Sequence, residues 1–295
     1  MARTNLLVAS IEFGGTKTVA AVGRDPLAPL AVARIATRDA AATLGDVEAF
    51  FRQAIADHGA PAALGISSFG PVVLDRALPA WGHVATTPKP GWSGADVAGR
   101  LGCALSCPVA LDTDVNAAAL AENRLGAGKD CDPLVYLTVG TGIGGGLVAN
   151  GKVVHGLMHP EMGHLLVRRH VGDSFAGTCS YHGDCAEGLA SGPSVLARFG
   201  VTAGELPPDH PFQAILADYL GQLCAAIVLI AAPQRIVIGG GVMSGGGRLE
   251  PIAAAMREAL GGYVSAPALH AARFLVSPAF ENSGLVGAFL LATGA

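Results

Sequence analysis

The sequence predicts an α/β fold made of two similar lobes, and three observations support it. A strand, a glycine turn and a second strand open the chain at 6–13, 14–15 and 16–23, and the same order returns at 134–139, 140–146 and 146–149. Alternating helical and strand-like segments follow each opening, the pattern of a layered α/β architecture. No low-complexity linker interrupts the 295 residues, so the lobes meet within ordered chain near 110–134. We place the first lobe at 1–112, joined by a closing helix over 281–295, and the second at 113–280, with a candidate metal-binding segment at 159–187.

The elements follow from their periodicities. Residues 28–36 read as a third strand, at an edge. Val47, Phe50, Phe51, Ala54 and Ile55 recur at helical spacing, and 62–67 is a buried strand running into Ser67-Ser-Phe-Gly-Pro71. Segment 76–94 is rich in proline and glycine and reads as loop. A short strand at 109–111 precedes an alanine-rich helix at 116–125. Asn150-Gly151 is a strong hairpin signal, completed by 152–155. Helices near 211–230 and 248–260 flank a strand at 236–238, then come a strand at 273–276 and a helix at about 283–292.

Composition narrows the function. Nineteen basic against 23 acidic residues give a net charge of −4, and no basic face for nucleic acid is implied. Met-Ala-Arg-Thr-Asn leads directly into a strand, without a cleavable leader. The apolar run 223–233 is shorter than the roughly 20 residues of a membrane helix, so no membrane partner is expected. Six cysteines without framework spacing read as reduced thiols of a cytoplasmic protein. The 41 glycines cluster, as where backbone approaches a ligand.

Chemistry concentrates between 160 and 187. Cys179, His182 and Cys185 lie on one short loop, and a fourth ligand would complete the tetrahedral set that zinc prefers. We assign His164 to that place, with His159 and His170 as competitors; a disulfide or two free thiols is the plain alternative. Glu161 and Glu187 are carboxylates that such a metal would fix.

Phe13-Gly-Gly-Thr-Lys17 forms a tight turn whose N–H groups, with Thr16 and Lys17, suit an anion, although a plain hairpin turn fits too. Gly140-Thr-Gly-Ile-Gly-Gly-Gly146 contains Gly-x-Gly-x-x-Gly, but a strand and hairpin follow where a dinucleotide fold needs a helix; phosphate binding is kept and the dinucleotide fold rejected. In Asp112-Thr-Asp-Val-Asn116 one aspartate is expected as a helix cap, and Asp114 is then spare as the base that takes a proton from an attacking hydroxyl. Gly239-Gly-Gly241 after a buried strand suits a flat ring such as adenine, with a plain loop as the other reading.

Together these residues resemble the ROK sugar kinases, most closely their bacterial fructokinase branch. The resemblance runs over essentially the whole chain through Ile11-Glu-Phe-Gly-Gly-Thr-Lys17, Ser67–Pro71, Thr86-Thr-Pro-Lys-Pro-Gly-Trp92, Asp112–Ala119, 138–146, His159-Pro-Glu-Met-Gly-His164, the metal segment and Ile238–Val242. It implies an actin/hexokinase-like fold of two ribonuclease-H-like lobes, with ATP and sugar in a cleft between them. It implies Asp114 as general base, and Glu161, Glu187 and His164 at the sugar. It puts Gly14, Gly15, Thr16, Lys17, Gly140, Thr141, Gly142 and Gly144 at phosphates, and Pro233, Gly239, Gly240 and Gly241 at adenine. Magnesium would accompany ATP, zinc would be structural, and a homodimer is the expected assembly.

Three departures favour a ketose. Many aldose kinases of the family carry Asn where this chain has Thr113, Asp where it has Glu12, and a third cysteine where it has His182, and the fructokinase branch shares all three changes. Thr113 is therefore expected at the sugar. The implied activity is phosphorylation of fructose at its 6-hydroxyl. The alternatives are another hexose (mannose, glucose or N-acetylmannosamine) or a sugar-sensing ROK protein without catalysis. ROK repressors carry a DNA-binding segment ahead of this fold, and a first strand starting near residue 6 leaves no room for one.

Overall fold

In the computed structural model, which describes residues 5–244 and 246–294, the chain divides into two units. The first runs through Ala121 and takes in His155–His159 and Phe280 onward; the second comprises Glu122–Val154 and Pro160–Ala279. The division falls later than the 112/113 boundary read from sequence, because the first turns of the helix after Asp112 pack with the first unit.

The first unit holds β1 (Val8–Phe13), β2 (Lys17–Gly23), β3 (Ala31–Ala36), α1 (Ala40–His58), β4 (Ala63–Ser68), α2 (Val97–Leu105), β5 (Val109–Thr113), most of α3 (Asp114–Arg124) and the last helix, α8 (Ser283–Thr293). Its five-stranded sheet has the order β3-β2-β1-β4-β5, antiparallel through β3, β2 and β1 and parallel through β1, β4 and β5. β1 is covered on both faces, with all of its residues but Glu12 buried. Ala9, Ile11 and Phe13 join Leu44, Val47 and Phe51 of α1 in one core, while Val19 and Ala21 of β2 meet Leu285 of α8 on the other face. Helix α2 follows the 76–94 loop in a stretch given no element from sequence, since Gly99 and Gly102 interrupt its pattern; Asp96 caps it by accepting from Gly99 N at 2.7 Å.

The second unit repeats the plan. It contains β6 (Leu134–Val139), β7 (Ile143–Ala149), β8 (Lys152–Val153), α4 (Ala186–Ala190), α5 (Gly192–Phe199), α6 (Phe212–Ala231), β9 (Arg235–Gly239), α7 (Leu249–Leu260) and β10 (Leu275–Val276). The order β8-β7-β6-β9-β10 matches the first sheet strand for strand, with the same antiparallel and parallel pairs. This is the ribonuclease-H-like topology expected of each lobe. Helix α6 extends well beyond the apolar run read from sequence: it has 20 residues, and an 18-residue window within it has a mean hydropathy of 2.0, enough by length and composition to cross a membrane. The apolarity has a local cause, since Leu216, Leu220, Leu223, Cys224 and Ile227 are buried with Ile252 and Met256 of α7.

Two glycines let α8 lie against its neighbours. A Cβ on Gly65 of β4 would overlap the Ala288 carbonyl, and one on Gly287 would overlap the Ala117 carbonyl of α3. Backbone cannot yield as a side-chain tip can. Gly65→Ala and Gly287→Ala should each cost at least about 1–3 kcal/mol in urea unfolding, the usual range for overpacking. Gly45 of α1 has open space at its Cβ position, so Gly45→Ala is the control and should be no less stable than the parent, gaining up to about 0.5–1 kcal/mol from helix propensity.

Candidate functional site

In the first unit, β5 turns into α3 at Asp112-Thr113-Asp114. The helix cap is the threonine, not an aspartate: Thr113 Oγ1 accepts from Asn116 N at 3.1 Å. Thr113 is also 1% exposed, and its hydroxyl oxygen is engaged as an acceptor in the cap while its O–H remains a donor. Asp112 is 3% exposed, and its Oδ1 accepts from Thr113 N at 2.8 Å and from Asn116 Nδ2 at 2.7 Å. Its Oδ2 lies 2.9 Å from His155 Nε2, a hydrogen bond that raises the imidazole pKa above its ordinary value against the opposing effect of burial. Asp114 opens the helix half-buried, with Oδ1 2.9 Å from Val115 N.

The 14–17 turn is pinned through its carbonyls. Gly14 O accepts from Thr37 Oγ1 at 2.9 Å, Thr16 O from Thr37 N at 3.0 Å, Lys17 O from Gly14 N at 3.0 Å, and Gly15 O from Lys89 Nζ. Its N–H groups are what the turn can offer an anion. Lys17 Nζ lies 3.4 Å from Asn282 Oδ1. Lys89 comes from the 86–92 loop, anchored by the fully buried Trp92, whose indole donates to Arg38 O at 2.7 Å. Burial lowers the Lys89 pKa. Glu12, unassigned beyond its motif, accepts from Leu285 N at 3.1 Å at the start of α8. Burial pushes its pKa up, opposed by that bond and by Lys17.

In the second unit His164, Cys179, His182 and Cys185 come together, with their ligand atoms all within 4.8 Å of one another. His164 Nδ1 lies 3.7 Å from Cys179 Sγ and 3.6 Å from Cys185 Sγ, and His182 Nδ1 lies 3.7 Å from Cys179 Sγ. Two ligands of one tetrahedral zinc, at ordinary Zn–S and Zn–N lengths, are about 3.6 Å apart, so the donor set and its spacing fit the ion. Neither His159 nor His170 belongs to the group, and the cysteines are not bonded as a disulfide. The ligands are held by backbone: Cys179 and Gly183 exchange hydrogen bonds of 3.3 and 2.9 Å, and Ala186 N donates to Leu165 O at 2.9 Å.

The 3-10 turn Met162–His164 carries His164 beside Glu161 and packs on β7. Within the 140–146 glycine cluster, which is loop only to Gly142 and strand from Ile143, two glycines have protein where a side chain would be. A Cβ on Gly145 would meet Met162 Sδ at 2.5 Å, and one on Gly142 would lie 2.7 Å from Glu187 Oε2. Glu187 accepts from Ile143 N at 2.9 Å. Protein crowding around the Glu161 carboxyl, and then the charge of Glu187, push its pKa up to about 7 although part of the side chain meets solvent.

Pro233 does not join Gly239–Gly241. They flank opposite ends of β9 (Arg235–Gly239), and six residues of strand span about 20 Å. Pro233 is buried, and Gln234 N beside it donates to Pro133 O at 2.8 Å. Past the glycine end of β9 is a cavity of about 220 Å³ lined by Leu206, Gln213, Leu216, Gly247, Arg248 and Ile252, among others.

The ROK family profile matches residues 8–295. A fructokinase of Zymomonas mobilis is 43% identical over 97% of this chain and 96% of its own length. Among solved structures, a ROK hexokinase of Thermus thermophilus is similar at a TM-score of 0.77 and 28% identity, covering 98% of both chains. A ROK glucokinase of Streptomyces griseus, solved with glucose and AMPPNP, is similar at 0.76 and 26%, over 98% of this chain and 100% of its own. The two-unit fold is thus of the actin/hexokinase type.

The metal segment is also tied down by a buried ion pair. Arg198 of α5 donates to both Asp173 oxygens at 2.5 and 2.8 Å, Tyr219 donates to Oδ2 at 2.6 Å, and the guanidinium stacks on Phe175 and Phe212. Burial alone would raise the Asp173 pKa, but Arg198, Tyr219 and the Phe175 N–H outweigh it and hold the carboxyl well below the usual range. A depressed carboxylate stabilises above its unfolded pKa of about 3.9, and that contribution fades as pH falls below it. Asp173→Asn, which strands Arg198, should cost about 3–5 kcal/mol at pH 7. Its unfolding midpoint should then fall less steeply than the parent's from pH 4 to pH 2; parallel acid limbs would contradict this account.

Proposed function

We propose that this chain, which belongs to the ROK family, is a sugar kinase that transfers the terminal phosphoryl group of ATP to the 6-hydroxyl of fructose. The observation that carries the reading is the β5–α3 corner. Thr113 caps the helix, Asp112 is buried with three donors, and Asp114 stands half-buried at the first position of α3 with Oδ1 2.9 Å from Val115 N; we assign Asp114 as the carboxylate that takes the proton. A base of this kind orients the attacking hydroxyl and accepts its proton as the bond to phosphorus forms.

In this reading the Gly14, Gly15, Thr16 and Lys17 turn of the first unit and Gly140, Thr141, Gly142 and Gly144 of the second hold the phosphates, with magnesium bound to the nucleotide. Gly239–Gly241 belong to the adenine end, and the cavity beside Gln213 and Arg248 offers a ring-sized apolar space there. Glu161 and Glu187 accept hydrogen bonds from sugar hydroxyls. Zinc on His164, Cys179, His182 and Cys185 is structural, since four protein ligands leave it no open position. The relatives favour fructose, since a fructokinase is 43% identical over 97% of this chain. The protein is expected in the cytoplasm as a homodimer.

An ADP-release assay across fructose, mannose, glucose and N-acetylmannosamine tests the substrate, and a higher kcat/KM for any of the last three would replace fructose. Asp114→Asn should keep its fold and lose at least about 10²-fold in kcat, with KM little changed; near-parental turnover would falsify the assignment.

The metal is tested separately. Elemental analysis of the pure protein should give about one zinc per chain. Cys185→Ser should lose it and become sensitive to proteolysis within 165–185 while the rest of the chain stays folded, because a structural metal stabilises chiefly the segment that ligates it. Metal-free protein with the parent's proteolysis pattern would contradict the assignment.

A further inference from the structure

We propose that His155 is a positioning residue for phosphoryl transfer, holding through Asp112 the strand end from which Asp114 projects. The inference rests on the reading of Asp114 as the base. His155 appears in the sequence only as the end of a hairpin, but β8 stops at Val153, and His155–His159 belong to the first unit.

The geometry at Asp112 is that of a buried charge needing three donors. Backbone and amide donors occupy Oδ1, from Thr113 N and Asn116 Nδ2, and His155 Nε2 is the donor at Oδ2. A carboxylate only accepts, so the ring nitrogen facing it carries the proton. The same nitrogen then cannot accept from Asn116 Nδ2, 3.4 Å away, and Asp112 is what joins the other two side chains.

Asn116 cannot replace the imidazole. It is fully buried, its amide nitrogen is used on Oδ1, and its own Oδ1 has no partner. Without His155, Oδ2 of a 3% exposed carboxylate lacks its donor, and the carboxylate can turn about its χ2. Asp112 would then loosen its grip on Thr113 N, the amide immediately before Asp114. A base displaced by a fraction of an ångström still binds substrate but reacts more slowly, so the loss falls on kcat.

The test compares His155→Ala with His155→Gln, whose amide can donate to Asp112 as the imidazole does. The alanine variant should lose about 10-fold or more in kcat, with KM for sugar and for ATP within about twofold and zinc content unchanged. Glutamine should restore most of the rate. If alanine does not fold, His155→Asn, one methylene too short to reach Asp112, takes its place. A parental kcat in the short variant would overturn the proposal. So would glutamine doing no better than the short variant, or a loss confined to KM or to thermal stability. In an Asp114→Asn background the His155 change should cost nothing further; an equal additional loss would mean that it acts elsewhere. If Asp114→Asn alone turns over normally, the failure belongs to the assignment of the base, whatever His155 does.

Discussion

Backbone N–H groups outside the helix and strand ladders need acceptors, and in this protein carboxylates supply several of them. Glu12 accepts from Leu285 N, Glu122 from Ala127 N and Ala279 N, Asp132 from Asn150 N and Gly151 N, and Glu187 from Ile143 N. At Leu285 the donor lies in the first turn of α8, where orphan N–H groups and a partial positive charge favour an anion; the others lie in turns, loops and a strand start. Such bonds are stronger than neutral ones and leave the carboxylate little freedom. A chain with only 23 acidic residues has therefore committed many of them to architecture, and a carboxylate left with spare acceptor capacity carries information.

This is why the fold was more legible than the site. Strand–glycine–strand openings, the Asn150-Gly151 hairpin and the apolar periods of α1, α6 and α7 are local signals, and the structure keeps them. Helices α2, α4 and α5 were missed because they are short and carry glycine or proline. The cap at Asp112–Asp114 was given to an aspartate because residue type alone ranks Asp above Thr; the choice depended on the Asp112 carboxylate being drawn to Asn116 and His155. His155 lies 43 residues from Asp112, and Glu12 lies 273 from Leu285, so no local pattern could join either pair.

Clustered glycines read from sequence as places where backbone approaches a ligand, but protein can be the approaching group as well. At Gly142 and Gly145 it is protein, namely Glu187 and Met162, so their lack of a side chain does not by itself argue for phosphate. Gly284 shows the same economy: a Cβ there would lie 2.7 Å from the Glu12 carboxyl. A glutamate reaches one methylene further than an aspartate, and at the start of α8 that reach is possible only because residue 284 has no side chain.

On the proposed reading, the metal and the two carboxylates at the sugar depend on each other. Glu161 and Glu187 are close enough that the charge of one raises the pKa of the other, so their proximity costs free energy and must be enforced. Enforcement comes from two sides. Gly163 lies so near Ile143 O that a Cβ would overlap it, which presses the Met162–His164 turn onto β7. His164 Nδ1 and Cys185 Sγ, 3.6 Å apart, then bring the turn that follows Glu161 to the chain that precedes Glu187. Two uncoordinated side chains would hold that distance weakly, since a thiol is a poor hydrogen-bond partner. A zinc ion bound by both would hold it firmly. Its contribution to catalysis would then be mechanical, keeping two mutually repelling carboxylates where sugar hydroxyls can donate to both.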